Sequence, residues 1–145
     1  MAGFDLVSFI GTRRAKIVSL ISAPILGFLS LFLPVLLLTG VEYEKEYLVS
    51  SLVRYTYEGL IPVPTVILLL AAGALLGFLS LRLWWLLGPL TMLVFPVVEL
   101  IDMMIWPTSH NLWPFEFIIY GLFCIPGFVG AFIGSRIARR MKKSS

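Results

Sequence analysis

Residues 60–106 read LIPVPTVILLLAAGALLGFLSLRLWWLLGPLTMLVFPVVELIDMMIW. This apolar stretch would measure about 70 Å as a single helix, more than twice the hydrocarbon thickness of a bilayer. It therefore has to turn back on itself. Arg82 is the only charge in it before Glu99, and Arg82 is flanked by tryptophans and followed by Gly-Pro. Interface and break residues of this kind predict a turn between Leu81 and Gly88.

The remaining sequence adds one long apolar stretch on each side of this pair. The chain has 145 residues, of which 59% are hydrophobic and only 13% are charged. A soluble domain would carry about 25% charged residues. We therefore predict an all-α, polytopic membrane protein: a single domain over residues 1–145 that folds as a four-transmembrane-helix bundle. The predicted helices are about 17–39, 62–81, 83–105 and 114–137.

The connection at residues 41–59 is the only substantial polar segment between helices. Apolar residues at 48, 49, 52, 53 and 55 follow a helical spacing, which favours a short amphipathic helix on the outer membrane surface. Tyrosines and a valine at 41, 43, 47, 55 and 57 equally suit a small hairpin. Both structures stay open for this segment.

Positive and negative charges fall on opposite ends of the predicted helices. With both termini on one side, that side carries nine basic residues against Asp5, a net charge of +8. The opposite side and its adjoining membrane half carry two basic and seven acidic residues, a net charge of −5. The positive-inside rule therefore places both termini in the cytoplasm, and we expect a prokaryotic plasma (inner) membrane.

Composition also excludes several functions. A lone cysteine, Cys124, allows no disulfide within the chain, and a lone histidine, His110, allows no bis-histidine haem site. The common catalytic signatures and phosphate loops are absent, so we expect no cofactor, no metal site and no catalytic residues. Because the basic residues follow the membrane ends and form no patch on a soluble face, nucleic acid is excluded as a partner.

Glu99 and Asp102 are the sharpest polar feature. They stand three residues apart on the third predicted helix and therefore project from one face. Glu99 falls about 10 Å below the helix end, in the outer hydrocarbon half, where a carboxylate costs a few kcal/mol unless it is paired, protonated or hydrated. His110, from the following loop, and Glu116, from the start of the fourth helix, would join them in a candidate polar or ion site.

Three roles stay open for this site. The carboxylates would tie the bundle together, bind protons or cations, or line a binding or catalytic pocket. His110 alone is more typical of a loop or capping residue than of a metal ligand.

Two further sets of residues have predicted roles. Gly73 and Gly77 in helix two, and Gly130 and Gly134 in helix four, have the small-xxx-small spacing of helix contacts in membranes, which we expect within the bundle. The C-terminal basic residues would bind anionic lipid headgroups. They are Arg136, Arg139, Arg140, Lys142 and Lys143.

These observations favour a non-enzymatic accessory or structural subunit of a membrane assembly. The partners would be the bilayer with its anionic headgroups and other membrane subunits or further copies of the chain. The alternative is a proton- or cation-coupled transporter or channel that uses Glu99 and Asp102. An outward-facing membrane enzyme comes third.

Overall fold

The computed structural model describes residues 6–38, 62–105 and 113–144. These residues are 92% helical and contain no strand, which confirms the predicted all-α class. The amphipathic or hairpin segment predicted at 41–59 lies outside the described residues, as does the loop with His110. The helices are α1 (Leu6–Phe9), α2 (Arg13–Leu38), α3 (Pro62–Leu79), α4 (Trp84–Met92), α5 (Val94–Ile105) and α6 (Trp113–Ser144).

Two of these helices are long and apolar enough to cross a membrane. They are α2, over Arg13–Pro34, and α6, over Phe117–Ser144; α3 is apolar over Val63–Leu79 but shorter. In the most apolar windows of α2 and α6, only 33% and 28% of the residues are buried inside the structure. The outward faces of these helices are therefore apolar.

Local chemistry explains where α2 begins. Gly11 takes a positive φ of 79°, a conformation that favours glycine, and so turns the chain out of α1. Thr12 then caps α2, because its Oγ1 accepts a hydrogen bond from the Ala15 N–H at 3.2 Å and its carbonyl accepts one from the Lys16 N–H. The helix thus starts at Arg13, before the predicted start near residue 17.

The reversal after α3 falls at residues 80–83, at the near edge of the predicted interval. The Leu83 N–H donates to the Ser80 carbonyl at 3.2 Å and closes the turn. Gly88 and Pro89, which we expected to mark the break, lie inside α4. Pro89 lies in the second turn of α4 and has no N–H to donate to the Trp85 carbonyl, so the helix lacks one bond there, whereas its first turn is closed by bonds to the Leu83 carbonyl.

A second interruption separates α4 from α5. Pro96 has no N–H to donate to the Met92 carbonyl, and its ring clashes with that carbonyl, so the regular ladder ends at Met92. Leu93 keeps helical angles (φ −60°, ψ −33°) and donates to the Leu90 carbonyl. The two helices are thus one apolar segment with a break in its middle. Pro24, Pro34 and Pro126, by contrast, lie within uninterrupted helices.

The segments pack as a bundle. The most extensive contact is between α3 and α6; α4 lies against α6 and α2, and α2 lies against α3. Ser19 of α2 donates to the Ala15 carbonyl at 2.9 Å and reaches the Leu76 carbonyl of α3 at 3.4 Å. The largest apolar cluster joins five buried side chains: Leu31, Leu69, Met92, Phe95 and Tyr120.

Candidate functional site

The predicted acidic site is only partly within the described residues. Positions 99 and 102 lie on α5, and position 116 lies near the start of α6, at the two helix ends that residues 106–112 connect. His110 lies outside the described residues. The convergence of Glu99, Asp102, Glu116 and His110 therefore stays a prediction.

The register of α5 is nevertheless defined. Val97, Leu100, Ile101 and Met104 are exposed, whereas Phe95 is fully buried. Positions 99 and 102 follow Phe95 by one and two turns of α5.

The apolar cluster fills the interior of the bundle around Phe95, one helical turn from position 99. The Phe95 ring stacks between Phe28 of α2, at 6.1 Å between centroids, and Tyr120 of α6, at 5.8 Å. Leu31, Leu69 and Met92 fill the space around these rings. On the basic-end side of position 99 the bundle therefore presents this packed cluster, with the buried Thr91 one turn beyond Phe95.

The four predicted packing glycines all lie in the contact between α3 and α6. A Cβ atom added at Gly73 would overlap the carbonyl oxygen of Gly127, and one added at Gly77 would overlap that of Ala131. From the other helix, added Cβ atoms would overlap backbone oxygens as well, those of Leu70 for Gly130 and of Ala74 for Gly134. The two backbones approach closely along the whole of this contact.

A second close approach, around Thr91, was not predicted. Thr91 is fully buried and donates to the Gly88 carbonyl at 2.6 Å. A Cβ atom added at Gly27 would overlap the Thr91 carbonyl, and one added at Gly127 would lie 2.9 Å from Thr91 Oγ1. Thus α4 is held between α2 and α6. Ala23 and Gly27 have the small-xxx-small spacing and gave a weak indication of a helix contact at Gly27, but nothing in the sequence indicated Thr91 as its partner.

The opposite end of the bundle gathers the N-terminal segment, the 80–83 turn and the end of α6. The Gly11 N–H donates to the Leu79 carbonyl at 3.0 Å. Arg139 of α6 donates to the Leu81 carbonyl at 2.7 Å, and Lys142 donates to the Ile10 carbonyl at 3.4 Å. These two cations hold the three chain segments together.

Arg136 and Arg140 make different contacts from these two. The guanidinium of Arg136 lies over the Phe132 ring, 4.9 Å from its centroid. Both arginines are exposed and line an open groove on the outer face of α6, together with Phe132, Ile133 and Ile137. Of the five predicted C-terminal basic residues, two therefore bond to other segments of the chain, two line the outward groove, and Lys143 is exposed.

Metal binding has no support from the described part of the chain. There, no three His, Cys, Asp or Glu residues form a group that would hold an ion.

Comparison of the chain with protein-family models, with curated proteins and with solved structures gave no match. The functional argument therefore depends on the geometry of this chain alone.

Proposed function

We propose that the chain is a four-span integral membrane protein whose spans are α2, α3, the interrupted segment α4–α5, and α6. Its apolar outward faces support this proposal. Ile21, Ile67 and Leu122 are each about 60% exposed, and comparable side chains surround the bundle. In water such continuous apolar surface promotes association, whereas lipid solvates it.

Its orientation follows from charge. The nine basic residues of the end that carries the N-terminal segment, the turn and the C-terminus would face the cytoplasm of a prokaryotic cell. Acidic residues predominate at the other end, which would face outwards.

Within the membrane, the chain would act as a non-enzymatic accessory or structural subunit. The observation that best supports this role is the packed interior. The rings of Phe28, Phe95 and Tyr120 stack there, and Phe95 lies one helical turn from position 99. A proton or cation needs a polar or hydrated path, because a charge is costly in hydrocarbon. In one copy of the bundle, the ring stack and its aliphatic neighbours Leu31, Leu69 and Met92 occupy the interior next to position 99. Its partners would be other membrane subunits or further copies of itself.

Ion coupling is the second candidate. Positions 99 and 102 lie on α5, after the interruption between α4 and α5, and broken helices line many ion sites. An oligomer would supply a path between copies. An outward-facing enzyme would use the same acidic residues and has no additional support.

The test separates these roles at Glu99. The parent, Glu99→Gln and Asp102→Asn are reconstituted in liposomes, a proton or sodium gradient is imposed, and an internal dye is followed. We expect no gradient-driven signal above empty vesicles for the parent. We also expect Glu99→Gln to unfold at a lower temperature in detergent, because glutamine keeps hydrogen bonds but loses charge pairing.

The ion-coupling alternative predicts the opposite pair of results. The parent would dissipate one of the gradients, and Glu99→Gln would abolish that flux while it melts like the parent, because glutamine does not titrate. Asp102→Asn is the graded comparison, with a milder effect in either case, since it lies nearer to water. Flux through the parent that Glu99→Gln abolishes would overturn the accessory role.

A further inference from the structure

The groove on the last part of α6 combines two unlike surfaces. It has a volume of about 420 Å³ and is lined by Phe132, Ile133, Arg136, Ile137 and Arg140. On a helix, residues 132, 136 and 140 form one row and residues 133 and 137 form the next. An aromatic and basic row thus runs beside an aliphatic row, both exposed.

Phe132, at the base of the groove, is held by contacts with other residues of the chain. The Phe132 ring meets Trp84 of α4 edge-on at 5.2 Å between centroids, and the Arg136 guanidinium lies over it at 4.9 Å. A cation above an aromatic face is held electrostatically, so Arg136 is partly positioned before any ligand binds. Arg140, one turn further on, has no acceptor among the residues that the structure describes.

The neighbouring cations serve as a contrast. Arg139 donates a hydrogen bond to the Leu81 carbonyl, and Lys142 donates one to the Ile10 carbonyl. Arg136 and Arg140 point their charge to the outside of the bundle, next to exposed isoleucines. Hydrogen bonds within the chain explain why Arg139 and Lys142 are basic. They do not explain the charges of Arg136 and Arg140.

We infer that this groove binds one anionic phospholipid, with its phosphate between Arg136 and Arg140 and an acyl chain along Phe132, Ile133 and Ile137. The inference rests on the proposed membrane location. Guanidinium groups match phosphate oxygens in a bidentate way, which a point charge does not. Phe132 and Ile133 lie deeper along α6 than either arginine, and Arg140 lies nearest the helix end, in the same order as lipid tail and headgroup. Because of that apolar row, the ligand is a lipid, not free phosphate.

The test compares charge-matched variants in a non-ionic detergent. Bound lipids are counted by native mass spectrometry as phosphatidylglycerol or phosphatidylcholine is added to the parent, to Arg136→Gln/Arg140→Gln and to Arg13→Gln/Arg14→Gln. The control pair removes the same charge from exposed positions of α2 at the same end of the bundle. We expect the parent to prefer phosphatidylglycerol, the first variant to lose about tenfold in affinity for it, and the control to stay within about twofold.

A charge-conserving variant tests the geometry. Arg136→Lys/Arg140→Lys should also lose phosphatidylglycerol affinity, because lysine cannot make the bidentate contact. If the double glutamine variant does not fold, Arg140→Gln alone is tested, since Arg140 is exposed. Full retention of affinity in either glutamine variant would overturn the site.

Three other results would overturn it as well. They are equal loss in the Arg13 and Arg14 control, equal binding of both lipids by the parent, and displacement of phosphatidylglycerol by inorganic phosphate. The proposed function fails differently, by release of the chain from alkali-washed membranes or by gradient-driven flux. Neither of those results changes a lipid preference measured in detergent.

Discussion

Gly130→Leu is expected to lower the free energy of unfolding by about 3 kcal/mol or more, because overpacking costs about 1–3 kcal/mol even where side chains can adjust. Here the obstacle is backbone. A Cβ atom at residue 130 would overlap the Leu70 carbonyl oxygen and lie 2.9 Å from the Ala74 nitrogen. The added side chain can be accommodated only if α3 and α6 move apart, which opens the most extensive contact in the bundle.

The matched control lies on the same helix. Gly121 is exposed, and an added Cβ atom would meet nothing within 4 Å. Gly121→Leu should therefore leave stability unchanged or raise it by up to about 1 kcal/mol, because glycine is the poorer helix former. Unfolding of both variants in mixed micelles, followed by circular dichroism, gives the comparison. Equal stability of the two variants would contradict the close contact at Gly130.

The all-α class followed from composition, but the helix ends did not. We placed the end of the last helix near residue 137, whereas α6 continues to Ser144. Hydropathy reports where a chain leaves an apolar environment, and a helix is free to continue beyond that point. Arginine and lysine are good helix formers and are favourable near a helix C-terminus, so the basic segment extends α6 by almost two turns.

Which side of each helix faces the bundle was the harder question. Leu69 is fully buried and Leu70 is 39% exposed, although both lie in an unbroken run of leucines. In a helix that is apolar all round, the hydrophobic pattern carries no direction. Glycine spacing supplied the direction for α3 and α6, because only small residues permit backbone contact. It gave no indication that Gly27 would meet the Thr91 carbonyl, a pairing between positions 64 residues apart.

The acidic site shows a different limit. The spacing predicted that Glu99 and Asp102 share one face of a helix, and both positions lie on α5. The aromatic stack beside it was not predicted, since Phe28, Phe95 and Tyr120 come from three separate segments. Contacts between distant segments depend on packing that no local pattern records.

Labelling with an impermeant thiol reagent is expected to divide the chain into two all-or-none classes of site. In a Cys124→Ala background, cysteines at Arg82 and Ser144 should stay unlabelled in intact cells and react once the cells are opened. Cysteines at Ser50 and Ser109 should react in both cases.

Two independent arguments support this result. The contacts of Gly11 with Leu79, and of Arg139 with Leu81, place the N-terminal segment, the turn and the C-terminal helix end together, whatever surrounds the bundle. The charge difference between the two ends then selects which end stays in the cytoplasm. The first argument predicts that residues 82 and 144 lie on the same side of the membrane. The second predicts that this side is the cytoplasm.

Each argument fails in its own way, which makes the experiment decisive. If residues 82 and 144 label alike but from outside, the bundle is inverted and the charge argument is wrong. If they label differently, the chain crosses the membrane an odd number of times between them, and the four-span arrangement itself is wrong, because two crossings, the α4–α5 segment and α6, should separate the two sites. Reaction at all four sites in intact cells would show that the chain does not span the membrane.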